Sequence, residues 1–229
     1  MDNAKQTRAP VGPVGRTGGV DEDERFLVRA LALAEAAFGE AEATYRHALG
    51  VIEQALGTSH PEVATLHRLL ADLAQRRGRP AEGEEHARQA LQVRQAALGP
   101  AHPAVATDGA ALASLLAAEE KYDEAEPLLR RALMTFESVV GPESLEVALV
   151  CHELGDLLVA RQRPSEAQAY YERALTLQRR MLGAAHPDVV TTLHNLAVLH
   201  ESQGRVEQAR ALWAEARAAL ETVVPVGAD

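Results

Sequence analysis

Apolar residues recur along the chain at spacings of three and four, in runs separated by glycine and proline. Over Pro187–Gln203, positions Leu193, Leu196, Ala197 and His200 fall at i, i+3, i+4 and i+7, which is one face of a helix. Gly204 follows, as glycine commonly does just past a helix end. The next run, Val206–Val224, carries Ala209, Leu212, Trp213, Ala216 and Leu220 on a single stripe, so it predicts a second helix. Farther upstream the same layout predicts a helix breaking at Gly78–Pro80 and a following one ending at Gly99.

These helix pairs repeat. "LGTSHPEVATL" begins at Leu56, "LGPAHPAVAT" at Leu98, "VGPESLEVAL" at Val140 and "LGAAHPDVVTTL" at Leu182. Their glycines, Gly57, Gly99, Gly141 and Gly183, stand 42 residues apart with no insertion, the signature of a repeat array. Each joint has a physical reading. The glycine supplies the left-handed conformation that ends a helix, and Pro61, Pro103 or Pro187 opens the next, where a missing N–H costs nothing. His60, His102 and His186 precede those prolines, and Ser144 fills the slot in the third unit. Because serine is a favoured N-cap, all four are expected to cap helix starts rather than bind a metal.

The array resembles tetratricopeptide repeats of the 42-residue kind found in kinesin light chains. The shared signature is Leu-Gly-x-x-His-Pro-x-Val-Ala, then Leu-x-x-Leu-Ala, a turn, and Ala-x-x-x-(Tyr/Trp)-x-x-Ala. Ala209, Trp213 and Ala216 fill the last positions in the final unit, Ala167, Tyr171 and Ala174 those before it. The resemblance implies an all-α fold, a right-handed α–α superhelix whose concave face is lined by the first helix of each pair. The expected organisation is a flexible tail at 1–20, a degenerate first helical repeat at 21–57, repeat units at 58–99, 100–141, 142–183 and 184–224, and a short tail at 225–229.

Projected onto this chain, the concave face carries the candidate partner-binding residues. They are Arg68, Asp72 and Arg76 in the first full unit, and Ala110 and Ser114 in the second. The third contributes His152, Glu153 and Asp156, and the fourth His194, Asn195 and Val198. The alanine-rich second unit reads as an apolar floor for a bulky side chain, and the acidic third unit as a place for a cationic segment. Gly109 costs its helix about 1 kcal/mol relative to alanine, so close approach of another backbone is its expected reason. His152, Asp156 and His194 form the one polar constellation shared by adjacent units. Paired asparagines of the kinesin type are reduced to Asn195, and the Lys/Asn/Arg clamp of chaperone-binding repeats is missing.

Composition narrows the function classes. Aromatic residues make up 3% of the chain, so Ala, Leu and Val must build a helical core. The net charge of −10, without a cationic block, argues against nucleic acid or an anionic membrane as partner. No run approaches the roughly 20 apolar residues of a membrane span. The single cysteine, Cys151, sits in a core slot and fits a reducing cytosol; His200 also sits on the core stripe and is expected to be buried and hydrogen-bonded. There is no zinc motif or phosphate loop, so no cofactor, metal or enzymatic role is expected. The expected function is a cytoplasmic, non-catalytic adaptor for a protein or peptide. The alternative is a self-assembling subunit, forming a homodimer through the C-terminal repeat, whose Leu212, Leu220 and Val224 lack an apparent polar cap.

Overall fold

The computed structural model describes residues 19–223, with side chains described over 35–221. The expected tails, and Val224, lie outside or at the margins of these residues. Nine helices and no strand occur among the described residues: α1 (Gly19–Leu56), α2 (Pro61–Arg76), α3 (Pro80–Leu98), α4 (Pro103–Ala118), α5 (Tyr122–Val139), α6 (Leu145–Ala160), α7 (Pro164–Leu182), α8 (Pro187–Ser202) and α9 (Val206–Val223). The chain divides into two compact units, Met1–Ala43 and Thr44–Asp229. The second is an α solenoid in which α2–α3, α4–α5, α6–α7 and α8–α9 pack as successive antiparallel pairs.

The joints follow the sequence logic. Gly57, Gly99 and Gly183 take φ of 87°, 82° and 85°. His60 Nδ1 accepts from the Glu62 N–H at 3.2 Å, His102 Nδ1 from Ala104 at 3.1 Å and His186 Nδ1 from Asp188 at 3.2 Å. Ser144 Oγ accepts from the Val147 N–H at 3.3 Å. Each cap satisfies an amide that the first helical turn leaves without a partner.

The turn inside each pair has its own repeated slot. Gly78 and Gly204 occupy it with φ of 68° and 75°, while Glu120 and Gln162 hold the same left-handed conformation at 60° and 58°.

Residues 21–57 depart from expectation. They are one continuous helix, α1, rather than a helix pair. The reason is local: the full units break their pairs at Gly78–Pro80 or at an equivalent turn, whereas here Gly39 and Gly50 stand within a strongly helix-forming run that has no proline.

Two core clusters fill the solenoid, one centred on α4–α6 with Leu112, Leu115, Leu116, Leu129 and Leu154, the other on α7–α8 with Leu158, Tyr171, Leu193 and Leu196. Equivalent slots trade volume between helices. Gly155 faces Tyr171, and a β-carbon on Gly155 would sit 2.9 Å from the ring's Cζ and closer to its edge. The matching pairs are Ala113 with Leu129 and Ala197 with Trp213.

Three expectations are corrected by the packing. No backbone approaches Gly109: a β-carbon there would meet nothing within 4 Å, and the residue borders a small void with Leu91, Val105 and Leu128. Its slot is held by His67, Cys151 and Leu193 in the other units, so glycine here leaves a core position unfilled. Ala110 is buried at 9% exposure and belongs to the core, its side chain being too short to reach the face that His152 and His194 reach from the same slot. His200 is buried as expected, but its Nδ1 has no hydrogen-bond partner. Leu116 and Leu158 fill that slot in earlier units, so its surroundings are built for an aliphatic side chain.

Candidate binding groove on the inner helices

The first helices of successive pairs approach one another, α4 against α6 and α6 against α8, more closely than the second helices do. They therefore form the inner wall of the solenoid. Single side-chain bonds tie parts of this wall together. Gln75 Nε2 donates to Ser114 Oγ at 3.0 Å between α2 and α4. Between α6 and α8, Asn195 Nδ2 donates to Asp156 Oδ1 at 2.9 Å, and His152 Nδ1 lies 2.8 Å from Thr192 Oγ1. Among the described residues no hydrogen bond or ion pair joins α4 to α6.

Asp156 is the hub of this wall. Its Oδ1 accepts from the Tyr171 hydroxyl at 2.5 Å and from Asn195, and its Oδ2 lies 3.4 Å from His152 Nε2. Tyr171 is only 2% exposed, and its ring passes through the space that Gly155 leaves open. Burial, and then the bond to Asp156, push the phenol well above its usual range, so it remains a donor. The repeat signature alone marks Tyr171 as a second-helix position and assigns its hydroxyl no partner. The missing β-carbon at Gly155 was the available sign that its hydroxyl reaches the groove.

Two pockets open on either side of Asp156. The first, about 260 Å³, lies between α4, α5 and α6, with Ala113, Ala117, Tyr122 and Leu157 as apolar lining and Ser114 and Glu153 as polar groups. The second, about 330 Å³, is bounded by Val159, Tyr171, His194, Asn195 and Val198. Glu153 is the anomaly of the first pocket. Its Oε2 is shielded from solvent and has no hydrogen-bond partner. Burial, reinforced by the nearby Asp156 carboxylate, pushes its carboxyl up to about 7.

The other candidates divide. Arg68 is engaged by Asp72 at 3.1 Å and lies 3.9 Å from the buried Asp108, which also pairs with Arg94. Those charges hold α2, α3 and α4 together. Burial raises the Asp108 carboxyl despite the Arg94 guanidinium beside it. Arg76 is exposed. His194 packs edge-on against Trp213 with ring centroids 4.7 Å apart, while His152 turns toward Thr192 and Asp156. The trio of His152, Asp156 and His194 therefore does not converge, and among the described residues no group of three or more His, Cys, Asp or Glu side chains is placed to hold a metal. Cys151 is fully buried, and burial raises its thiol to about 11. A polar pair escaped the sequence reading: His67 and His86 bring their Nδ1 atoms within 3.0 Å across α2 and α3.

No helix among the described residues is long and apolar enough to cross a membrane. None of the curated protein sequences matches the chain. Among solved structures, BtubC (BKLC) from P. vanneervenii is 28% identical, with a TM-score of 0.76 over 87% of this chain and 80% of its own. A putative kinesin light chain with nearly identical TPR-like repeats from Podosopora anserina is 22% identical, with a TM-score of 0.69 over 89% of this chain and 96% of its own. A Rap protein complexed with competence and sporulation factor shares the fold at 16% identity, with a TM-score of 0.66 over 83% of this chain and 51% of its own. The tetratricopeptide repeat family model matches residues 62–138, 107–180 and 146–222. With its capped joints, its 42-residue helix pairs and a family match over well more than half its length, the chain belongs to the tetratricopeptide repeat family.

Proposed function

We propose that this protein is a non-catalytic cytoplasmic adaptor that binds a peptide or partner-protein segment along its inner-helix groove, with a preference for cationic and bulky apolar side chains. Tetratricopeptide repeat proteins generally mediate protein–protein interaction, and their fold is typically a non-catalytic scaffold. One observation carries the reading for this groove. Two adjacent pockets open on the inner wall, the second of them lined by Val159 and Val198, apolar side chains 42% and 46% exposed on a face that the repeats themselves leave uncovered. Glu153 and Asp156 give the same stretch its negative character. Arg68, Asp72 and Arg76 extend the groove as a polar margin.

A second reading, self-association through α9, rests on Leu220, which is 54% exposed on the last helix. Two surface variants separate the readings. If a bound protein is lost on Val198→Asp and kept on Leu220→Asp, the groove is the binding surface. The reverse pattern, together with a dimer-to-monomer shift on Leu220→Asp in light scattering, refutes groove binding in favour of assembly.

A further inference from the structure

The interface between α4 and α6 differs from its neighbour between α6 and α8 at one slot. Asn195 on α8 reaches back to Asp156 on α6. The equivalent residue on α6, 42 positions earlier, is Glu153, and the equivalent target on α4 is Ser114. Ser114 instead accepts from Gln75, and Glu153 Oε2 is left shielded without a partner. A buried carboxylate oxygen lacking a donor is costly unless something completes it. Glu153 also lines a pocket of about 260 Å³, together with Ala113, Ala117, Tyr122, Leu157 and Asp156. A mostly apolar pocket with carboxylates in its lining is the complement of a side chain with a methylene stem and a cationic head.

We propose that this pocket is the anchor site for one lysine or arginine side chain of the bound segment, with Glu153 as its counter-ion, and that the adjoining Val159–Val198 pocket takes an aliphatic side chain about three residues away. The assignment rests on the groove reading given above. The spacing follows from geometry: neighbouring inner helices lie about 8–10 Å apart, and an extended chain advances about 3.3 Å per residue. The occupant is a cationic peptide segment because of charge complementarity. The protein carries a net charge of −10, and the pocket's charged groups, Glu153 and Asp156, are both acids.

Binding is coupled to a proton. Burial holds the Glu153 carboxyl up to about 7, so near neutrality a fraction of it is protonated and cannot pair with a cation. Entry of the cation favours the carboxylate and releases that proton. The groups facing Glu153 are Asp156 on its own helix and Tyr122 from α5; Ser114, Ala113 and Ala117 from α4 carry no charge.

A phage-displayed library of random nine-residue peptides panned on the full chain tests this. Clones are sorted by loss of binding to Val198→Asp, which marks the groove. Groove-dependent clones are expected to share a lysine or arginine about three residues from an aliphatic residue. A fluorescein-labelled synthetic peptide of that sequence should bind Glu153→Gln about ten-fold or more weakly. Replacing its cation by norleucine should weaken binding to the natural protein similarly and to Glu153→Gln no further. Affinity for the cationic peptide should rise between pH 6 and pH 8, with the rise reduced in Glu153→Gln; His152 and His194 remain in that variant, so any contribution of theirs persists. Groove-dependent clones without a cation, or equal binding to Glu153→Gln, overturn the anchor and leave groove binding standing. A library without any groove-dependent clone overturns both.

Discussion

Replacing Gly109 with alanine should stabilise the protein, although the residue lies inside a core helix of a packed array. In α4 the glycine has helical φ, and a β-carbon would meet nothing within 4 Å. Two effects act in the same direction. Helix propensity favours alanine by about 1 kcal/mol. A methyl group entering the void beside Leu91, Val105 and Leu128 adds up to about 0.8 kcal/mol of transfer energy. The sum, about 1–2 kcal/mol, corresponds to a rise in Tm of several degrees for a chain of this size. Gly155→Ala is the internal control of opposite sign. Its β-carbon would enter the Tyr171 ring, forcing a shift that costs about 1–3 kcal/mol and disturbing the bond to Asp156. Urea unfolding followed by circular dichroism at 222 nm measures both. A raised midpoint with unchanged slope for Gly109→Ala and a lowered one for Gly155→Ala are the expected results. A loss of stability in Gly109→Ala would refute the reasoning, because it would mean that the void is filled by a neighbour absent from this packing.

Four further outcomes are expected. Gln162→Gly should raise the urea midpoint by roughly 1 kcal/mol of stability, because Gln162 holds φ at 58° in the slot where Gly78 and Gly204 serve other units; an unchanged midpoint would count against strain there. His67 has its pKa lowered by burial and then by His86, against opposing contributions from Glu53 and Glu85. Its stabilisation is therefore complete above the unfolded value near 6.5 and is lost as pH falls below it, so Tm should drop on acidification and His67→Leu should lessen that drop, leaving the part due to His200, whose pKa is also lowered. Glu153 behaves oppositely: its carboxyl is raised to about 7, so its favourable contribution is present at low pH and lost as pH rises through that value, and Glu153→Gln should melt higher than the natural protein at pH 8 but not at pH 5. Cys151, buried with its thiol raised to about 11, should react with iodoacetamide only as fast as the surrounding helices open, which urea-dependent labelling measures.

The features legible in the sequence are those a unit repeats within itself. His60, His102 and His186 announced their role because the slot recurs and serine replaces histidine once. Helix starts and the inner-wall stretch of α6 and α8 followed from the same register. What escaped depends on partners in another helix or unit. Ala110 shares its register with His152 but ends too short to reach the surface. Tyr171, itself buried, brings its hydroxyl to Asp156 because Gly155, 16 positions before it, lacks a β-carbon. The unpartnered Glu153 Oε2 also depends on another unit, because the slot that places Asp156 opposite Asn195 places Ser114 opposite Glu153. The continuous α1 shows the same limit: a stretch expected as a degenerate repeat does not form a helix pair unless a breaker divides it.

The missing tie between α4 and α6 has a mechanical consequence. On the outer side of this junction Glu126 of α5 is clasped by Arg161 at 3.2 Å and by Arg163 at 2.9 Å. Among the described residues the inner side carries no hydrogen bond or ion pair, whereas the flanking inner junctions carry the Gln75–Ser114, Asp156–Asn195 and His152–Thr192 bonds. A junction bonded along its outer edge only is expected to bend more readily than one bonded along both, so spin labels placed across α4 and α6 should show a broader distance distribution than a matching pair across α6 and α8.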